Sequence, residues 1–135
     1  MEKTFTIIDI RLHSLAYTHH PIQDSAVDND AMTVQTDYRF QGSHNASKLE
    51  YTGILAARLS GERVPYEVTV EVCGIFRFEQ PPTEEEERLF TSSASPQILF
   101  PYVREIVSDI LRRAGYPLVY LHPVNFQNAP LIQEE

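Results

Sequence analysis

Val64-Pro65-Tyr66-Glu67-Val68-Thr69-Val70-Glu71-Val72-Cys73-Gly74-Ile75-Phe76-Arg77-Phe78 decides the fold class. Val64, Tyr66, Val68, Val70, Val72, Phe76 and Phe78 fall on one parity, and Glu67, Thr69, Glu71 and Arg77 on the other. A period of two puts the two sets on opposite faces of a pleated strand, one buried and one wet. The same period recurs toward the N-terminus. In Leu49–Leu59 the odd positions Leu49, Tyr51, Leu55, Ala57 and Leu59 form an apolar row opposite Lys48, Glu50, Thr52 and Arg58. In Met32–Phe40 the even positions are mostly apolar and the odd ones polar. The opening segment Thr4–Tyr17 is rich in Ile, Phe and Thr, but its alternation is blurred. Ser60-Gly61-Glu62 supplies a tight turn between the last two strands. The pattern predicts four strands in an antiparallel meander, solvated on one side. His20-Pro21 through Asp30, polar and carrying three aspartates, reads as a loop.

Beyond Phe78 the period becomes helical. Thr83 followed by Glu84–Glu87 reads as an N-cap with acidic residues at the positive end of a short helix. Ser95-Pro96 opens a longer one, with serine as cap and proline where its missing N–H costs nothing. That helix runs to about Ala114 and stops at Gly115. Pro101 inside it predicts a distorted first turn or a regular helix beginning nearer Pro101. Tyr102/Val103, Ile106/Val107 and Ile110/Leu111 recur every four residues, so the apolar stripe is about two residues wide. Packing on one sheet needs an arc of roughly 100°, and this stripe is wider. The excess predicts a second subunit, with Tyr102, Val103, Ile106 and Ile110 at the contact. The fold class is therefore α+β, a four-stranded antiparallel sheet with one short and one long helix on one face.

The chain has 135 residues, read as one domain over 1–135. It is 42% hydrophobic and 22% charged, the composition of a folded chain. A formal net charge of −8 repels phosphate backbones, so nucleic acid is not an expected partner. The same charge attracts basic polypeptides. The single cysteine, Cys73, allows no intrachain disulfide. Met1–Thr6 lacks the features of a signal peptide, and no uninterrupted apolar run of about 18 residues exists. The expectation is a cytoplasmic protein without membrane insertion, whose tail after Pro130 frays.

Three blocks carry a resemblance. Ile98-Leu99-Phe100-Pro101-Tyr102-Val103-Arg104-Glu105 resembles the start of the long helix in the SecB family of export chaperones. Pro123-Val124-Asn125-Phe126 resembles that family's short signature after the helix, and Gly74-Ile75-Phe76 the end of its fourth strand. The resemblance covers about Val64–Phe126 with blocks in family order; the first 60 residues match in strand pattern only. It implies a four-stranded sheet with two helices, pairing of two sheets into a dimer, and packing of two dimers through the long helices. It also implies clients, namely unfolded chains wrapped into apolar grooves. Leu15, Tyr17, Tyr116, Leu118 and Tyr120 fall where the family's grooves lie. Acidic residues on the family's sheet dock the translocation motor SecA. Here Ser14 stands at the first acidic position, Glu62 stands for the second, and only nine residues follow Phe126. Members dedicated to toxin–antitoxin pairs or carried by phage fit the same blocks.

No catalytic constellation accompanies this pattern. His13, His19 and His20 lie near one another, but a metal site needs three or four ligands in fixed geometry. Exposed histidines beside a loop are the simpler reading. Cys73 lies on the strand face of Glu67 and Glu71, carboxylates that oppose thiolate formation, so it reads as a structural thiol. Four consecutive acids, Glu84–Glu87, point around a helix and cannot converge on one substrate atom. The expectation is an ATP-independent holdase without cofactor, metal or reaction. It binds extended clients by apolar contact and by main-chain pairing at a sheet edge. Two rival readings stand: an adaptor or antitoxin-type chaperone dedicated to one partner, and a small-ligand carrier using the space between sheet and helix.

Overall fold

The computed structural model describes residues 4–20, 34–116 and 132–134. The four expected strands are β1 (Phe5–His19), β2 (Gln35–His44), β3 (Glu50–Ser60) and β4 (Tyr66–Phe78). Alternation is strictest in β3 and β4, where Tyr51, Leu55, Ala57 and Leu59 and the even-numbered residues of β4 are buried. The meander holds for β2, β3 and β4, each antiparallel to the next. β1 departs from it by pairing antiparallel with β4. A full meander would leave β4, the most regularly apolar strand, with an open edge. The order is β1-β4-β3-β2-β5, where β5 (Ile132–Glu134) runs parallel to β2. The tail expected to fray thus contributes a short strand.

The blurred alternation of β1 has a structural cause. The β1–β4 register slips between Ile7 and Asp9 and again between Leu12 and Ser14. Each slip inserts one residue, Ile8 and then His13, and inverts the parity of the residues beyond it. Phe5, Ile7, Ile10, Leu12, Leu15 and Tyr17 therefore all register with the buried parity of β4, opposite Phe78, Phe76, Gly74, Val72, Val70 and Val68.

The helical region begins as expected. Glu86 N donates to Thr83 Oγ1 at 3.2 Å and Thr83 N donates to Glu86 Oε1 at 2.8 Å, a reciprocal cap on α1 (Glu84–Leu89). The two helices are not separate, however. A π-helical turn, Phe90–Ala94, joins α1 to α2 (Ser95–Arg113). Ser95 is not a cap: its backbone is helical, and its hydroxyl is buried without a hydrogen-bond partner. Nor does the helix begin at Pro101, which α2 carries in its interior. The π turn is held by packing. Phe90 lies 5.1, 5.7, 5.1 and 5.0 Å from the ring centroids of Phe5, Tyr51, Phe76 and Phe78. Gly42, Gly53 and Gly74 share one register position across β2, β3 and β4. A Cβ on Gly53 would stand 2.7 Å from Ser95 Oγ, so the missing side chain lets the helix settle on the sheet here.

Candidate functional site

α2 packs on β3 and β4. Leu99, Val103, Val107 and Leu111 meet that sheet and are fully buried. One residue earlier in each turn, Ile98, Tyr102, Ile106 and Ile110 remain partly open, and Tyr102 is 45% exposed. The wide stripe is thus two rows, one closed by the chain itself and one not. Val103 belongs to the closed row, with 0% exposure, and cannot meet a partner as the sequence reading placed it.

β1 extends the uncovered surface. It is an edge strand to the side of β3 and β4, on which α2 packs, so Ile7, Leu12 and Leu15 are left exposed while Phe5, Ile10 and Tyr17 are partly buried against the core. Leu12 is 49% exposed, and Ile7, Ile8 and Leu15 are exposed as well. Between β1 and α2 runs a groove of about 500 Å³, walled by Leu12 and Leu15 on one side and Ile106 and Ile110 on the other. Glu105, Asp109 and Arg112 form its polar rim. Arg112 Nη2 and Arg113 Nε donate to Asp109 at 2.5 and 3.0 Å, and these bonds hold its carboxyl below the usual range. Asp109 and Arg112 of the rim are thus paired with each other, and the groove's walls are apolar.

The end of α2 brings further candidates together. Gly115, at φ 95°, turns the chain back, with Tyr116 N donating to Leu111 O and Gly115 N to Arg112 O, each at 3.0 Å. This swings the Tyr116 ring to 4.8 Å from that of Tyr66. The Tyr116 hydroxyl lies 3.2 Å from His19 Nδ1 and 3.5 Å from Pro65 O. Burial, with Tyr17 close by, pushes the Tyr66 and Tyr116 phenols up. Leu15 lines the groove, Tyr17 follows on the same face of β1, and Tyr116 lies past the helix end. Leu118, Tyr120 and Pro123–Phe126 lie outside the described residues.

Other candidates are scattered. Glu62 is exposed in the connection between β3 and β4, and Ser14 registers with Glu71 on the other face of the sheet. His20 Nε2 sits 3.7 Å from Glu67, and His13 is the exposed residue of the second bulge. No cluster that could hold a metal ion occurs among the described residues. Burial is the main cause raising the Cys73 thiol; Asp9 adds to it and Arg11 opposes it, so the expected carboxylates Glu67 and Glu71 are not the reason. Sequence reasoning missed Ile7 and Leu12 as exposed apolar residues. The signal was the broken alternation of β1, legible only as two bulges.

A protein-family model described as preprotein translocase subunit SecB matches residues 18–131. The chain belongs to the SecB family. Among its relatives, the protein-export protein SecB of Neisseria meningitidis is 42% identical over 87 residues, which are 64% of this chain and 58% of that protein. The chain thus spans less than two thirds of that relative's length. The protein-export protein SecB of Acidithiobacillus ferrooxidans is 34% identical over 114 residues, 84% of this chain and 71% of that one. Among solved structures, a SecB-like chaperone of Mycobacterium tuberculosis, in complex with a ChAD peptide from the HigA1 antitoxin, superposes with a TM-score of 0.73. It is 20% identical, over 90% of this chain and 88% of that one, and so confirms the fold of this SecB-family chain. No described helix is long and apolar enough to cross a membrane.

Proposed function

We propose that the protein is a holdase of the SecB type, which keeps non-native polypeptides soluble without catalysing a reaction or using a cofactor. One observation carries the reading: a single folded copy leaves apolar surface open along both β1 and α2, with a groove between them. Exposed apolar patches of several hundred Å² mark interaction surfaces. Leu12, Leu15, Ile106 and Ile110, with Tyr17 and Tyr116 beyond the helix end, are the client-contacting set. Tyr102, Ile98 and the outer flank of Ile106 and Ile110 form the contact between copies, in a dimer or a dimer of dimers. The relatives' naming as protein-export proteins supports clients that are preproteins held for export in the cytoplasm. Docking on SecA would then use Glu62. The test is suppression of aggregation of a chemically denatured model protein at a one-to-one ratio of chains. The natural sequence is expected to suppress the light-scattering rise, and Leu12→Asp/Leu15→Asp to lose most of that effect. A rise unchanged by the natural chain overturns the holdase reading.

A narrower reading is a chaperone dedicated to one partner. Its support is the Mycobacterium tuberculosis structure, a SecB-like fold holding an antitoxin peptide. Recovery of a single stoichiometric partner from the native host, with no protection of the model protein, would select it.

A further inference from the structure

α1 buries none of its own side chains, so apolar burial does not dock it on the sheet. Its Glu87 reaches the end of β2, where Glu87 Oε1 stands 3.4 Å from His44 Nε2. His44 pairs across the ladder with Tyr51 of β3, and the two rings lie 5.4 Å apart. The Tyr51 hydroxyl is also within hydrogen-bonding reach of Glu87, so one carboxylate faces a phenol and an imidazole. The other ring nitrogen of His44, Nδ1, lies 2.9 Å from Asn45 O. That turn is a firm mount. Asn45 O also accepts from Lys48 N at 3.0 Å, and Asn45 Oδ1 accepts from Ser47 Oγ and Glu50 N at 3.1 and 3.2 Å. His44 thus meets an acceptor at each ring nitrogen. A neutral imidazole has one N–H and one lone pair, and only the cation donates from both sides. With Nδ1 donating to Asn45 O, a neutral ring turns its Nε2 lone pair toward the Glu87 carboxylate, where the cation makes an ion pair.

We propose that His44 and Glu87 form a proton-operated latch, which fastens α1 to the β2–β3 corner when the imidazole is charged and frees it when the proton leaves. The latch does not depend on the holdase reading. Imidazole side chains change charge between about pH 5 and 8. A contact made by the charged ring is present at the acidic end of that window and is lost as pH rises through it. The titratable groups facing His44 are Tyr51 from β3 and Glu87 from α1. Burial pushes the Tyr51 phenol well up, so it stays an O–H across the window and adds no charge. Glu50, at the start of β3, turns instead to Arg77 at 3.5 Å. His44 and Glu87 are both partly exposed, so their ion pair is weak and suited to respond, not to hold the fold together. Beneath them lies the buried Tyr51 ring, 5.3 and 5.7 Å from those of Phe78 and Phe90. Release of α1 loosens the cover over this aromatic cluster.

The experiment follows hydrogen exchange of the Arg88, Leu89 and Phe90 amides at ~pH 5.5 and ~pH 8, each corrected for its intrinsic rate. The natural chain is compared with His44→Gln and Glu87→Gln, which lack the ion pair at either pH. Protection of these amides in the natural chain is expected to fall about two- to fivefold from the lower pH to the higher. Both variants are expected to show the same protection at the two pH values. The Val103 and Val107 amides of α2 serve as the reference and are expected to hold theirs throughout. Unchanged α1 protection in the natural chain overturns the latch. An equal fall in His44→Gln or Glu87→Gln overturns it as well, because another group would then carry the response. So does a fall shared by Val103 and Val107, which would be opening of the whole fold.

Discussion

Gly53 and Ser95 face each other where α2 settles on β3. A methyl group on Gly53 would stand 2.7 Å from the Phe40 ring and 2.7 Å from Ser95 Oγ, well inside van der Waals contact. Phe40 is itself locked in the core at 2% exposure, so it has little room to give. Gly53→Ala is therefore expected to cost about 1–3 kcal/mol in urea unfolding. Ser95→Ala should behave oppositely. Its hydroxyl is buried with no partner, and removing such a group is close to neutral or stabilising. The double variant should recover part of the Gly53→Ala loss, because one of the two clashing atoms is gone. A Ser95→Ala variant as unstable as Gly53→Ala would show that the hydroxyl has a bonding role the geometry does not reveal. The Tyr51 hydroxyl differs from that of Ser95: burial first, and then the Glu87 carboxylate within hydrogen-bonding reach, push its pKa up.

At the scale of elements, β3 and β4 are tied on their wet face by Arg58, whose Nη2 and Nε donate to Glu67 Oε1 at 2.6 and 3.0 Å. Arg58 registers with Thr69, so Glu67 is its diagonal neighbour across the ladder. These bonds hold the Glu67 carboxyl below its ordinary value. A carboxylate depressed in the folded state stabilises above its unfolded pKa, and that stabilisation is lost as pH falls through the folded pKa. Thermal midpoints measured from ~pH 6 to ~pH 3 should thus fall less steeply for Glu67→Gln than for the natural chain, which is the more stable near neutrality by a margin kept small by the pair's exposure, and the two should converge in acid. Identical slopes would mean the pair adds nothing. The same strands were legible from sequence because each residue's parity reports its face, and the capped start of α1 was legible because Thr83 and Glu86 are local partners. The β1–β4 pairing was not, since strand order depends on contacts between segments far apart in the chain. The groove on β1 stayed hidden because each bulge inverts parity, which makes an apolar face read as noise. The π turn was missed for a related reason: Ser95-Pro96 is a good local start signal, overruled by Phe90 seated among four aromatic rings. The outer helix row was legible as an exposed apolar row, except that Val103 belongs to the buried one beside it.

For the whole molecule, the question is what covers the open row of α2. A chain with net charge −8 is soluble enough to carry some apolar surface, yet Tyr102, Ile106 and Ile110 follow one another along a single helical row. Such a row fits the seam between two antiparallel helices, where residues four apart interdigitate. Tyr102 is the best probe, because it lies on that row and does not line the β1 groove. Tyr102→Asp should lower the mass measured by light scattering toward that of one chain or one sheet-paired dimer. A charge there stays in water in the separated copy, so the far-UV spectrum and cooperative unfolding should be retained. Val103→Asp is the contrasting variant. Its carboxylate would sit at a position with 0% exposure between helix and sheet, where an unpaired charge is strongly disfavoured, and it should abolish folding. A natural chain that weighs one copy in solution would defeat the proposed association, and a Tyr102→Asp variant of unchanged mass would move the contact off this row to the edge of β1, where Ile7 and Ile8 lie exposed.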